Sequence, residues 1–289
     1  MSSLARRVLT GALLALGAAG LLYADTRAAP GHGPLYAAFG LALLCALEAS
    51  RMGRLASMHL YRALFVSVFA AGLVPAFGLL HTLDMGVIGA SEMGTSKIAL
   101  WYGISLGLTL LLNIDALYRA VFGSGEGRER ARWAIGLSLW IFPSLFALVP
   151  LGLVYGTGGL VLLVILSKIG DIFGYFVGRK IGRRHPFPKL SPGKTVAGCV
   201  ASLVAGSVAG AICMPLIIDS SHALLGAVFG ATLNLSAQAG DLAESWVKRN
   251  AGVKDSSTWV GAAGGVLDVL DSFLFTVPTA VFLLPLVVS

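Results

Sequence analysis

Between residues 240 and 272 an otherwise apolar chain turns abruptly polar, reading GDLAESWVKRNAGVKDSSTWVGAAGGVLDVLDS. Asp241 and Glu244 stand one helical turn apart, and Asp268 and Asp271 repeat that spacing. Carboxylates so spaced share a helix face and can hold a divalent cation, or the cation of a nucleotide complex. Between them lie Lys248, Arg249 and Lys254, with Ser245, Asp255 and Ser256 beside them. Lys and Arg near hydroxyls and helix-start N–H groups suit phosphate. The plainer reading of each acidic pair is a solvated helix end or a partner for the helix dipole.

Two further segments carry the same chemistry. In SKIGDIFGYFVGRKIGRR, the residues Lys168, Asp171, Tyr175 and Gly178 follow at helical spacing, and Arg179 comes next. A Lys168–Asp171 pair that lets two charges share a buried position is the structural alternative there. The loop over residues 179–198 is basic, and its Ser191-Pro192-Gly193-Lys194-Thr195 stretch directly precedes an apolar run. It is not a P-loop, because position 188 is Pro rather than Gly. Ordinary inner-surface topology with affinity for anionic lipid would also explain its charge.

The elements that position these groups are membrane helices. Of the 289 residues, 56% are hydrophobic and 12% charged, and mean hydropathy is +0.84. Soluble domains carry about twice that charge. Apolar runs of about 20 residues recur throughout, which predicts an all-α, polytopic integral membrane protein. Nine spans are expected, near 8–24, 34–50, 60–82, 97–117, 133–153, 158–178, 195–217, 222–246 and 265–288. With the N-terminus inside, 18 of the 21 Lys and Arg fall in inner segments, as the positive-inside rule requires. The first run imitates a signal peptide but is long enough to be a retained span. The net charge of +7 sits in short loops rather than on one face, which argues against nucleic-acid binding. Cys45, Cys199 and Cys213 lie in apolar runs without metal-ligand spacing.

The chain is expected to form one membrane domain, with N-terminal helices over 1–153 and a C-terminal catalytic region over 154–289. All three carboxylate faces then lie at the inner surface, an acidic cup with a basic rim. Such a cup suits a reaction between a phosphorylated lipid and a metal-bound nucleotide. A transporter would instead place its polar residues near the bilayer midplane.

These residues resemble the phosphatidate cytidylyltransferase (CDP-diglyceride synthase) family. The family's GDLxES helix end is matched by Gly240-Asp241-Leu242 and Glu244-Ser245, and its KR pair by Lys248-Arg249. Its KDSS loop is matched by Lys254-Asp255-Ser256-Ser257, and its final aspartates by Asp268 and Asp271-Ser272. Asp171, Tyr175, Gly178-Arg179 and Gly182 are similar to its DxxAYxxGRxxG segment, and Ser191-Pro192 with Lys194-Thr195 to its SPxKTxEG segment. The likeness covers about residues 165–275. Three positions depart: Ala263 stands for the family's His, Val269 for its Arg and Ala197 for its Glu.

The resemblance implies a CTP-dependent transfer that converts a lipid phosphate, phosphatidate foremost, to CDP-lipid and pyrophosphate. It implies Asp241, Asp268 and Lys248 as catalytic residues, and Mg²⁺ or another divalent cation on Asp241, Asp268 and Asp271. Asp171, Tyr175, Arg179, Ser191, Lys194, Thr195, Glu244, Ser245, Arg249, Lys254, Asp255 and Ser256 would meet CTP or the lipid phosphate. The expected setting is a bacterial cytoplasmic membrane with the site facing the cytoplasm. Membrane lipids are expected neighbours, and a homodimer is allowed. The three departures keep open a CTP-using polyprenol or lipid kinase, and an inactive nucleotide- or lipid-binding protein of the same fold.

Overall fold

A computed structural model describes residues 32–57, 60–68, 72, 95–218, 222–261 and 264–288. Among these, every regular element is helical. The helices are α1 (His32–Ser50), α2 (Thr95–Leu112), α3 (Ile114–Phe122), α4 (Gly125–Phe146), α5 (Leu148–Ile181), α6 (Val196–Ile218), α7 (Ala223–Ala251), α8 (Val266–Leu270) and α9 (Phe273–Val288). A 3₁₀ turn covers Gly53–Leu55, and residues 60–68 are also helical.

Among the described residues, three helical stretches are long and apolar enough to cross a membrane: Gly125–Ile181, Val196–Ile218 and Val266–Val288. A fourth arises if Gly103–Leu112 and Ile114–Phe122, bent by 72°, count as one span. The expected span at 8–24 lies outside the described residues, as does most of that at 60–82. The break anticipated at Tyr155–Gly159 falls inside α5, where Gly156 takes φ 59° and ψ −161°. That left-handed geometry is costly for any residue with a Cβ, so glycine is the residue that permits the kink.

The chain divides into two compact units. One contains the described residues of Met1–Val154 together with Asn250–Leu270. Its core joins α1 to α4. The residues Leu35, Ala38, Ala42, Cys45 and Ala49 recur at helical spacing on the buried face of α1. Phe142 and Phe146 of α4 are fully buried, and Phe146 meets Phe39 edge-on at 4.8 Å. The short α8 packs on α1. Asn113 bridges buried polar groups, donating to Ser67 Oγ and the Thr109 carbonyl, each at 2.8 Å.

The other unit contains Tyr155–Arg249 and Asp271–Ser289. Here small residues decide the packing. On α6, Gly198, Ser202, Gly206 and Gly210 are buried at four-residue intervals. A Cβ at Gly210 would strike the Gly226 carbonyl, and one at Gly230 the Gly206 carbonyl. Backbones of α6 and α7 therefore touch, as between lipid-embedded helices whose association depends on close van der Waals fit. Gly174 and Gly178 of α5 meet α6 in the same way, at Gly198, Ser202 and Thr195.

Candidate active site

The charged segment is divided between the units: residues 240–249 and 271–272 belong to one, 250–270 to the other. Two clusters result, each built within its own unit.

The first cluster gathers Asp171 from α5, Asp241 from α7 and Asp271 from the break between α8 and α9. A side chain at position 240 would collide with the Asp271 carbonyl, so Gly240 is what lets α7 approach that break. The next residue, Asp241, consequently faces Asp271 closely enough for their carboxyls to share a hydrogen bond, and Asp171 lies near enough to feel the Asp241 charge. Two lysines balance the group. Lys194 Nζ pairs with Asp241 Oδ2 at 3.0 Å and donates to the Gln238 carbonyl at 3.3 Å. Lys168 Nζ stands 3.7 Å from Asp171 Oδ2, donates to Ser272 Oγ at 2.7 Å and lies 5.0 Å from the Phe273 ring centroid. The Lys168–Asp171 pair offered by the sequence spacing is thus present, and it belongs to the carboxylate cluster.

One turn further along α7, Glu244 Oε2 pairs with Lys248 Nζ at 2.6 Å, with only 2% and 12% of the two side chains exposed. The i,i+4 spacing produces this pair directly. On the exposed side of α5, Arg179 donates to the Tyr175 hydroxyl at 2.9 Å. Thr195 acts locally, its Oγ1 accepting the Gly198 N–H at 3.1 Å and so capping α6. Ser191 sits in the preceding turn, where its carbonyl accepts the Lys194 N–H at 3.1 Å. Ser245 is half-buried and Arg249 exposed. Ala197 lies in the first turn of α6.

The second cluster centres on Asp268, at the third position of α8. Its Oδ2 accepts the N–H of Gly265 at 2.6 Å, and the N–H and Oγ–H of Ser256 at 2.8 Å each. The bond back to the residue before the helix is half of a capping box. Glu48 of α1, absent from the expected site residues, supplies the rest. Its Oε1 accepts the Val266 N–H at 2.8 Å and Ser257 Oγ–H at 2.6 Å. Its Oε2 accepts the Leu267 N–H at 2.8 Å and lies 3.1 Å from Ser256 Oγ. The signal for it was a lone carboxylate in the apolar run LALLCALEAS, a burial that requires partners. Lys254 and Asp255 are exposed on the same loop. The helix expected over 265–288 is divided at Asp271–Ser272 into α8 and α9, and Asp268 and Asp271 bond to different partners. Val269 lies on α8, and Ala263 is outside the described residues.

Carboxylates this close repel one another, and the Lys194 and Lys168 cations offset part of that repulsion. Among the described residues, no group of three or more His, Cys, Asp or Glu is arranged to enclose an ion. The facing pair Asp241–Asp271 nevertheless suits Mg²⁺, which usually takes one or two carboxylates and completes its shell with water and substrate phosphate. With Lys194 and Lys168 adjacent, the cluster offers both signs of charge to a metal–triphosphate.

Comparison with known proteins bears on this reading. The sequence model of the cytidylyltransferase family matches residues 5–287. The phosphatidate cytidylyltransferase of Bacillus subtilis (strain 168) is 40% identical over 119 residues, 40% of this chain and 43% of that protein. That of Pseudomonas aeruginosa is 38% identical over 178 residues, 61% of this chain and 65% of the relative. An uncharacterized protein of Escherichia coli (strain K12), YnbB, is 37% identical over 118 residues, 40% of this chain and 39% of that protein. The matched stretch spans about two fifths of the length of most of these relatives and just under two thirds of the Pseudomonas protein. With its family match running from residue 5 to residue 287, the chain belongs to the cytidylyltransferase family.

Proposed function

We propose that this protein transfers a cytidylyl group from CTP to a membrane lipid phosphate, phosphatidate foremost, releasing pyrophosphate and leaving CDP-diacylglycerol. The observation that carries the reading is the Asp171–Asp241–Asp271 group with Lys194 and Lys168 at its edge, in a chain of this family. A phosphate oxygen of the lipid attacks the α-phosphorus of CTP. The bond from that phosphorus to the bridging oxygen breaks, and the electron pair leaves with pyrophosphate. The attacking phosphate is anionic at neutral pH, so no general base is needed.

Asp241 and Asp271 would hold Mg²⁺, which supplies charge neutralisation and in-line alignment of the phosphates when bound. Lys194, tethered by its bonds to Asp241 and the Gln238 carbonyl, would present its third N–H to the triphosphate. Lys168 holds Asp171 and Ser272 in register on the other side. Arg249 and Lys254 are exposed cations whose charge suits triphosphate or lipid phosphate. Asp268 and Ser256 order the loop that carries Lys254 and Asp255. The largely buried Glu244–Lys248 pair stiffens the end of α7.

The topology belongs to the same proposal: nine spans, N-terminus inside, with the site on the cytoplasmic face where CTP is available. A reporter fused after residue 289 should read the outer side. Purified protein in detergent, supplied with CTP, Mg²⁺ and phosphatidate, should release pyrophosphate and form CDP-lipid in equal amounts. Release of CDP would indicate phosphoryl rather than cytidylyl transfer and refute the proposal. So would absence of turnover on phosphatidate and on isoprenoid phosphates.

A further inference from the structure

We infer that Glu48, on α1 and nearly 200 residues from the charged segment, is a positioning residue for the loop that presents Lys254 and Asp255. The inference rests on the proposed cytidylyl transfer. Glu48 is 1% exposed. Its carboxylate takes the N–H groups of Val266 and Leu267 and the hydroxyl of Ser257, and lies against the hydroxyl of Ser256. One buried side chain therefore ties both ends of the segment 256–267. Neighbouring contacts repeat the connection. Gly53 sits so close to Ala251 that a Cβ there would strike its carbonyl, and Arg51 lies 6.0 Å from the Trp259 ring centroid. The C-terminal end of α1 and the turn after it thus form the seat of this loop.

The chemistry explains why the residue is Glu. Two backbone N–H groups and a hydroxyl, all donors, converge on it, and a carboxylate accepts on both oxygens. Glutamine would match the shape but turn an NH₂ donor toward one of those N–H groups. Aspartate would keep both acceptors on a stem one methylene shorter. Ser256 has one hydroxyl proton and lies within bonding distance of both Glu48 and Asp268. Glu48 and Asp268 accordingly hold the loop from two sides, and the helix-start N–H groups are already taken and do not serve phosphate.

The test compares the full-length wild type with E48Q, E48D and E48A in detergent. E48Q should raise the KM for CTP about tenfold or more, while the KM for phosphatidate changes less than threefold. E48D should recover at least half of that loss. Hydrogen exchange at the amides of residues 265–267 should accelerate at least tenfold in E48Q, with exchange in α6 unchanged. An E48Q protein with wild-type KM for CTP and unaltered exchange at 265–267 overturns the inference. Equal loss for both substrates with accelerated exchange throughout also overturns it, since Glu48 would then serve global stability alone. If the wild type fails to turn over CTP, the proposed transfer fails instead, and the exchange arm still decides whether Glu48 holds the loop.

Discussion

Replacing Asp241 by Asn separates chemistry from stability in this protein. Asp241 Oδ2 is 3.0 Å from Lys194 Nζ, and its side chain is 24% exposed. At an effective dielectric of about 20, unit charges at this distance attract by about 5–6 kcal/mol before desolvation. Withdrawing both ions from water cancels several kcal/mol of that. Asn keeps one oxygen to accept from Lys194, and it also relieves the repulsion between Asp241 and Asp271. The net cost to folding should be about 1–2 kcal/mol. With total stability of about 5–15 kcal/mol, nearly all of the variant remains folded. If Asp241 holds the proposed cation, its removal should forfeit about 4 kcal/mol of transition-state stabilisation, or about a thousandfold in kcat/KM. Activity would be followed by pyrophosphate release and folding by thermal unfolding in the same detergent. A D241N variant that keeps more than a tenth of wild-type activity would refute the assignment of Asp241 to the metal. A variant that fails to fold would refute the energy balance.

Further outcomes follow from the other contacts. Lys248→Ala removes the cation paired with the nearly buried Glu244 and should destabilise by about 3–5 kcal/mol, whereas the joint K248M/E244L change should cost less; equal unfolding temperatures for the two would contradict the pair's role. Thr195→Ala should cost about 1 kcal/mol through loss of the α6 cap and leave kcat/KM within fivefold; a hundredfold loss in a stable protein would instead make Thr195 a substrate contact. Gly210→Leu forces side-chain bulk against the Gly226 carbonyl and should separate α6 from α7, cutting the yield of folded protein, while the same change at Gly136, where a Cβ meets nothing, should be tolerated. Chelation should abolish turnover, and added Mg²⁺ should restore it without altering the far-UV circular dichroism.

Local physics made much of this protein readable in one dimension. Apolar run length predicts helices that can cross a membrane, because a backbone in lipid must satisfy its own hydrogen bonds. The Tyr155–Gly159 break was legible because glycine alone tolerates the left-handed turn that Gly156 makes. The spacings of Lys168 with Asp171 and of Glu244 with Lys248 predict their pairs, because residues three and four apart face one another on a helix.

Other features depend on groups distant in the chain. Asp268 and Asp271 stand one turn apart in sequence, yet each joins different partners. Lys194 meets Asp241 across 47 positions because backbone contact at the α6–α7 glycines brings those helices together. Glu48 was visible only as an anomaly in an apolar run. Composition determined by itself that this chain is helical and apolar enough to enter a membrane, and its motifs showed which carboxylates to watch. Only the tertiary structure decided which charges neutralise one another. A buried charge takes whatever partner the packing brings within about 3 Å, and sequence separation does not enter that energy.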